Sequence, residues 1–225
     1  MYHAVIIIRF ILAAVLCAVL FGCAAPTRDP ITPAPSVGMI DAGATRLDQA
    51  WILPETDFSN YHAILIEPAK IEFDPTWGRP SGRAGSRLAN PPVDIDGTRK
   101  EMQSVIDRAV RDVLQRSEQF EVVDTAGPGV LRLRPSVDQL FITAIDPLKS
   151  ATRADQFIRR SGRGIAGVEI RDGATGQPLL IVSHWRETRR YEPLRIASPS
   201  LTENDFRDWY QRFLKDSLEL THQKG

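Results

Sequence analysis

The sequence predicts an α+β fold, an antiparallel or mixed sheet of about five or six strands with two amphipathic helices packed on one face. Three observations predict it. Two long segments repeat apolar residues at three-and-four spacing, several short runs are alternating or continuously apolar, and a glycine-bearing turn joins two of those runs.

Leu47 to Phe58, with Trp51, Ile52 and Leu53 together, packs onto the domain edge, since three large apolar side chains in a row are unfavourable in water. Tyr61 to Glu67 is a short apolar run ended by Pro68, which suits a central strand buried on both faces. Ala69 to Phe73 continues it past a bulge at Pro68. Asp74 to Gly97 reads as a long loop with Trp77 and Leu88 as its few large apolar residues, a length that marks functional or disordered segments.

Thr98 and Glu101 form a T-x-x-E capping box for the first helix, which runs to Glu118. Met102, Val105, Ile106, Ala109, Val110, Val113 and Leu114 make its apolar face, and arginines and acids fill the other. Phe120 to Val123 is a short strand. Gly127-Pro128-Gly129 turns the chain into Val130 to Asp138, where Leu131, Leu133 and Val137 alternate with Arg132, Arg134 and Asp138, so one face is buried and one wet. Pro135 lacks a ladder N–H, which places its donor side at an edge or bulge, and Leu140 to Ile145 continues the strand with its phase shifted by one.

Asp146 to Gly164 reads as a short helix or an excursion of the chain. Ile165–Arg171 and Leu179–Arg186 are strands joined by Asp172 to Pro178, a hairpin turn in which Gly173 and Gly176 take positive φ freely and Asp172 bonds its own backbone. Thr202 and Asp205 cap the last helix, with Leu201 and Phe206 as its staple. Phe206, Trp209, Tyr210, Phe213, Leu214 and Leu218 form its wide apolar stripe, which reads as core.

Residues 1–22 read as a lipoprotein signal peptide: His3 and Arg9 are the only basic side chains, no acid occurs, and Phe10 to Phe21 is unbroken apolar sequence. Leu20-Phe21-Gly22-Cys23 places lipidation on Cys23, with Phe21 departing from the small or β-branched residue usual there. Residues 23–46 form a lipidated, Pro-rich flexible tether, and residues 47–225 a single periplasm-facing domain. A membrane lipid on Cys23 is thus the first partner. Ala24 after that cysteine favours the outer membrane by similarity to lipoprotein sorting patterns. The alternative is an inner-membrane protein held by an uncleaved helix, which needs Arg9 buried in the span.

Removing residues 1–22 takes Arg9 and no acid, so the chain's 28 basic and 28 acidic side chains become 27 and 28. No global field steers it toward nucleic acid. Cys17 leaves with the signal and Cys23 is consumed by lipid, so the fold stands on its core without a disulfide.

The strand Tyr61–Pro68, the helix Thr98–Glu118, Phe120-Glu121-Val122-Val123, the Gly-Pro-Gly turn into Leu131-Arg132-Leu133, and Val168–Asp172 with Thr175-Gly176 together resemble the bacterial lipoprotein family catalogued as domain of unknown function 3313. The resemblance spans about Trp51 to Leu218 and implies an exported lipoprotein with a compact α+β domain. It supplies no catalytic residues.

The residues themselves carry little chemistry. His3, His62, His184 and His222 stand at no metal-ligand spacing, no G-x-S-x-G elbow occurs, and Gly162-Arg163-Gly164 lacks the third glycine of a dinucleotide fingerprint. No cofactor is expected. Two arginine groups remain: Arg79, Arg83 and Arg87 in the long loop, and Arg153, Arg159, Arg160, Arg163, Arg186, Arg189 and Arg190, with Arg195, around the hairpin. A planar guanidinium matches carboxylate or phosphate, so the second group reads as an anion-binding surface for an envelope polymer or protein, or else as solvated charge balanced by Asp155, Glu187 and Glu192. The function expected is a non-enzymatic envelope lipoprotein that binds or scaffolds; the alternative is an envelope hydrolase or transferase acting on a glycan or lipid.

Overall fold

The computed structural model describes residues 35–43, 45–78, 93–117, 119–143 and 157–222. Long strands rich in Val, Ile and Leu set the frame. β1 (Ile40–Asp41), β2 (Gln49–Ile52), β3 (Ala63–Ile66), β4 (Lys70–Phe73), β5 (Glu121–Val123), β6 (Val130–Ile142), β8 (Gly162–Asp172) and β9 (Pro178–Glu187) form one mixed sheet. Its order is β1-β2-β9-β8-β6-β3-β5, and β4 also pairs with β6. The fold class is the expected α+β; the sheet has eight strands rather than five or six. The extra strands are short edge pieces, such as β1 and β2, whose two to four residues leave little periodicity to read.

β3 and β4 pair in succession with the same edge of β6, Ile66 opposite Leu133 and Lys70 opposite Ser136. Pro135 falls opposite the break at Glu67–Ala69, where Pro68 also lacks a donor, so two prolines share one interruption of the ladder. The expected phase shift in β6 occurs at Gln139, whose φ is 50°. Gly162-Arg163-Gly164 lies inside β8, not in a loop before it. β1 begins inside the stretch expected to be tether, because Ile40 pairs with Ile52.

Two helices cover one sheet face. α1 (Ile95–Ser117) and α2 (Pro199–His222) lie side by side in the same direction, joined by Arg108–Glu203, Gln211–Asp112 and Gln119–Thr221. Both helices start a turn earlier than their T-x-x-E and T-x-x-D patterns suggest. Asp94 caps α1 through the Gly97 N–H at 2.9 Å, and Ser198 caps α2 through the Leu201 N–H at 3.2 Å, with Pro199 in the first turn. The predicted apolar face of α1 is buried throughout, as is the whole aromatic stripe of α2. Phe206, Trp209, Tyr210 and Phe213 meet edge to face at 5.4 to 6.1 Å between neighbours, over Ala166, Val168 and Ile170 of β8. Tyr210 donates to the Gly167 carbonyl at 2.6 Å, fixing α2 to the sheet centre.

The uncovered face carries an ion ladder. Arg132 and Arg134 both reach Glu67, Arg134 also reaches Glu169 at 3.0 Å, and Arg171 lies 2.6 Å from the other Glu169 oxygen. Glu169 is buried, its side chain only 4% exposed, so this wet face is a paired network rather than free charge.

Candidate functional site

The predicted arginine group divides. In antiparallel register Arg163 opposes Glu187 and Gly164 opposes Arg186, so Arg163 and Arg186 point to opposite faces of the sheet. Arg186 reaches Asp216 of α2 at 3.0 Å, while Arg163 stacks over Phe141 at 4.4 Å and lies 3.8 Å from Asp74. Arg160 pairs with Glu187 at 2.9 Å. Cys23, Arg79, Arg83, Arg87 and Arg153 lie outside the described residues.

Arg159, Arg189, Arg190 and Arg195 do gather, around a two-stranded ribbon at the end of the sheet. β7 (Phe157–Ile158) pairs antiparallel with β10 (Arg195–Ile196), so part of the segment read as a short helix or excursion is a strand. Phe157 and Ile196 are cross-strand partners, 59% and 50% exposed, with Leu194 beside them 44% exposed. Trp185, also half-exposed, stands two residues before the β9 end that leads into this ribbon. Arg159 and Arg190 share the single carboxylate of Glu192, at 3.7 and 2.5 Å. Arg189 and Arg195 lie 5.8 and 5.9 Å from the Tyr191 ring centroid and have no carboxylate partner among the described residues.

Beneath the ribbon sits a buried acid. Asp205 accepts from Ser161 Oγ and from the Tyr191 hydroxyl, both at 2.5 Å, and Thr188 bridges the Gly162 backbone. Burial, and then the hydrogen bond to Asp205, pushes the Tyr191 phenol up to about 12. Asp205 is therefore no capping residue: it pins the ribbon's connections to α2. The sequence signal for this was an acid four residues before Trp209, on a stripe otherwise apolar, since a buried carboxylate needs donors. Ile158 completes the anchorage against Ala197 and Leu201.

The opposite end of the sheet is built differently. Asp172 Oδ1 accepts from the Ala174 and Thr175 N–H groups and the Thr175 hydroxyl, while Oδ2 accepts from Tyr61 at 2.8 Å. Of the two turn glycines, only Gly176 has positive φ, 72°. Gly173 is needed for space instead: its N–H donates to Val130 O at 2.8 Å, and a Cβ there would collide with that same oxygen.

Among the described residues no group of three His, Cys, Asp or Glu side chains is arranged to hold a metal, and no helix is long and apolar enough to cross a membrane.

Residues 41–213 match the model of a family described as Protein of unknown function (DUF3313). The chain belongs to that family. Segments on which the resemblance rested, Tyr61, Gly127 to Gly129 and Asp172 to Gly176, meet at the hairpin end just described. No curated protein matches the chain significantly. Similar solved structures include the PelC dodecamer from Paraburkholderia phytofirmans, at 9% identity, covering 68% of this chain and 86% of that one, with a TM-score of 0.29. A Xanthomonas campestris protein assigned to family DUF330 shares 10% identity, 73% and 87% coverage and a TM-score of 0.37. A neuraminyllactose-binding hemagglutinin homolog from Helicobacter pylori shares 12% identity, 76% and 86% coverage and a TM-score of 0.30. Likeness at these scores carries no argument about role.

Proposed function

We propose that this DUF3313 protein is a lipid-anchored component of the bacterial cell envelope, attached through Cys23 in the outer membrane, whose domain binds another envelope component without catalysing a reaction. The observation that carries the binding role is the Phe157–Ile196 pair: two large apolar side chains held side by side and half in water on a fixed ribbon, near Arg189 with no carboxylate partner among the described residues. Leaving such side chains exposed forgoes about 1.5–3 kcal/mol each relative to full burial, and aromatic residues with arginine are enriched where proteins dock. The anchoring role is supported by the charge-poor apolar run of residues 1–22 ahead of Gly22-Cys23.

The test is mass spectrometry of the N-terminal peptide of the chain recovered from cells, with radiolabelled palmitate feeding beside it. A peptide beginning at Cys23 and carrying acyl mass supports the anchor, and Cys23→Ser abolishes the label. A chain retaining Met1 with an unmodified Cys23 refutes it.

A further inference from the structure

We infer that the β7–β10 ribbon is a second membrane contact, made by protein rather than by acyl chain. Phe157, Leu194 and Ile196 enter the interface of an anionic lipid leaflet, and Arg159, Arg189 and Arg190 meet lipid phosphates. This names the component bound by the surface proposed above, and it rests on that reading of the chain as an envelope protein.

Charge is the first argument. Arg159, Arg189 and Arg190 flank the ribbon with Glu192 as their one carboxylate among the described residues, while Arg195, the cross-strand partner of Ile158, leaves from the ribbon's other face, within a chain otherwise balanced at 28 basic and 28 acidic side chains. A guanidinium pairs with a phosphate through parallel N–H donors, and each basic side chain near an anionic leaflet adds to the attraction. Arg189 breaks no carboxylate pair to do so among the described residues.

Size is the second argument. Three apolar side chains on a two-residue ladder are far less than the roughly 800 Å² that each partner buries in a stable protein complex. A fluid leaflet needs no such matched surface. It accepts a few apolar side chains at the headgroup boundary and holds them with adjacent cations, the pattern of interfacial anchors.

Rigidity and reach complete the case. The ribbon is already ordered by Asp205, Ser161 and Tyr191 and by Ile158 on Ala197, so docking has little conformational entropy to overcome. The chain enters the sheet at β1, paired near Leu180 through β2, while the ribbon lies past Glu187 at the other end of β9, about 23 Å away along the strand. The 17 residues from Cys23 to Ile40 can span at most roughly 55–60 Å, enough for a lipid on Cys23 and the ribbon to reach the same leaflet.

The experiment uses the full chain with Cys17 replaced by serine and one new cysteine at Phe157, Ile196 or Arg111, the last on the exposed face of α1. Each cysteine carries an environment-sensitive fluorophore, and the protein is reconstituted in vesicles of phosphatidylethanolamine with phosphatidylglycerol, or of phosphatidylcholine alone, containing lipids with a quencher in the acyl chain. Quenching at 157 and 196 is expected to exceed that at 111 several-fold in the anionic vesicles, to fall in phosphatidylcholine, and to drop to the level at 111 in the label-at-196 chain carrying Phe157→Asp. Labels at 157 and 196 no more quenched than the one at 111, in a chain that still floats with vesicles, overturn the docking and leave the anchor standing. Equal quenching in both lipids overturns the role of phosphate, and protection of the label only on adding a soluble acidic polypeptide makes the occupant a protein and overturns the proposal. Should Cys23 prove unmodified, Cys23→Ser is added and the same readings decide the docking alone.

Discussion

The two ends of the β8–β9 pair invert each other's polarity. At the hairpin end the polar groups face one another across the turn: Asp172 takes four hydrogen bonds, Arg171 donates to Gly176 O, and Gly173 lies against Val130 O. At the ribbon end the polar groups are inside, where Asp205 gathers Ser161 and Tyr191, and the apolar side chains of Phe157 and Ile196 are outside. The first arrangement closes a fold and the second presents a surface. Glycine marks the difference in packing too, for Gly162 at the ribbon's root stands against Phe141 O and Phe206, leaving no room for a Cβ.

Breaking the inside of the ribbon end should have the largest effect. Asp205→Ala leaves two buried hydroxyls without their acceptor, a loss of about 3 kcal/mol of unfolding free energy measurable by urea titration. Asp205→Asn, which keeps one acceptor oxygen, is expected to lose less. At the hairpin end Gly173→Ala forces a Cβ onto a backbone oxygen and should lose about 2–3 kcal/mol. Gly176→Ala, which has open space but positive φ, should lose only about 1 kcal/mol. Equal losses for the two glycines would refute the distinction between space and conformation.

Titration sharpens the comparison. Asp172 is held below its ordinary 3.8, first by the Thr175 N–H, then by the Thr175 hydroxyl, with the Tyr61 hydroxyl contributing less. A depressed acid contributes stability that is present above its unfolded pKa and lost as pH falls through its folded one, so Asp172→Asn should flatten the loss of stability below about pH 4. Tyr61, pushed up to about 12 by burial and then by Asp172, works on the alkaline side. Its contribution is complete below pH 10.0 and is lost as pH rises toward 12, and Tyr191 at the ribbon end behaves alike. Tyr61→Phe and Tyr191→Phe should each reduce the alkaline fall, read as urea midpoints between about pH 9 and 12, whereas the acid-side change should follow Asp172, weakly Tyr61 through its hydrogen bond to that carboxylate, and not Tyr191.

How much of this was legible follows from the range of each interaction. The α2 stripe, the α1 face, the bulge in β6 and the Pro68 break were readable because apolar period and proline act locally. The helix starts were misplaced by a turn because T-x-x-E also occurs inside helices, whereas Asp94 and Ser198 are identified by N–H groups only the folded backbone brings to them. The arginine group failed differently. Spacing in sequence does not say that Arg163 and Arg186 leave opposite sheet faces, because that depends on strand register, which is set by pairing far along the chain. Glu169 is a polar residue in a largely apolar strand, and only the pairing with β6 brings Arg134 to it, with Arg171 on its other oxygen.

The smallest expected effect on stability is the one that most tests the inversion of polarity. If Phe157 and Ile196 serve a surface and not the core, replacing each with serine removes side chains already half in water, and the urea midpoint should move by no more than about 0.5 kcal/mol in unfolding free energy. Ile158→Ala, one residue away but buried on Ala197 and Leu201, should lose about 2 kcal/mol or more. The contrast within two adjacent residues separates the outer layer of the ribbon from its root. A loss at Phe157 matching that at Ile158 would mean that the exposed pair holds the fold together after all, and that the ribbon end, like the hairpin end, closes the domain instead of presenting it.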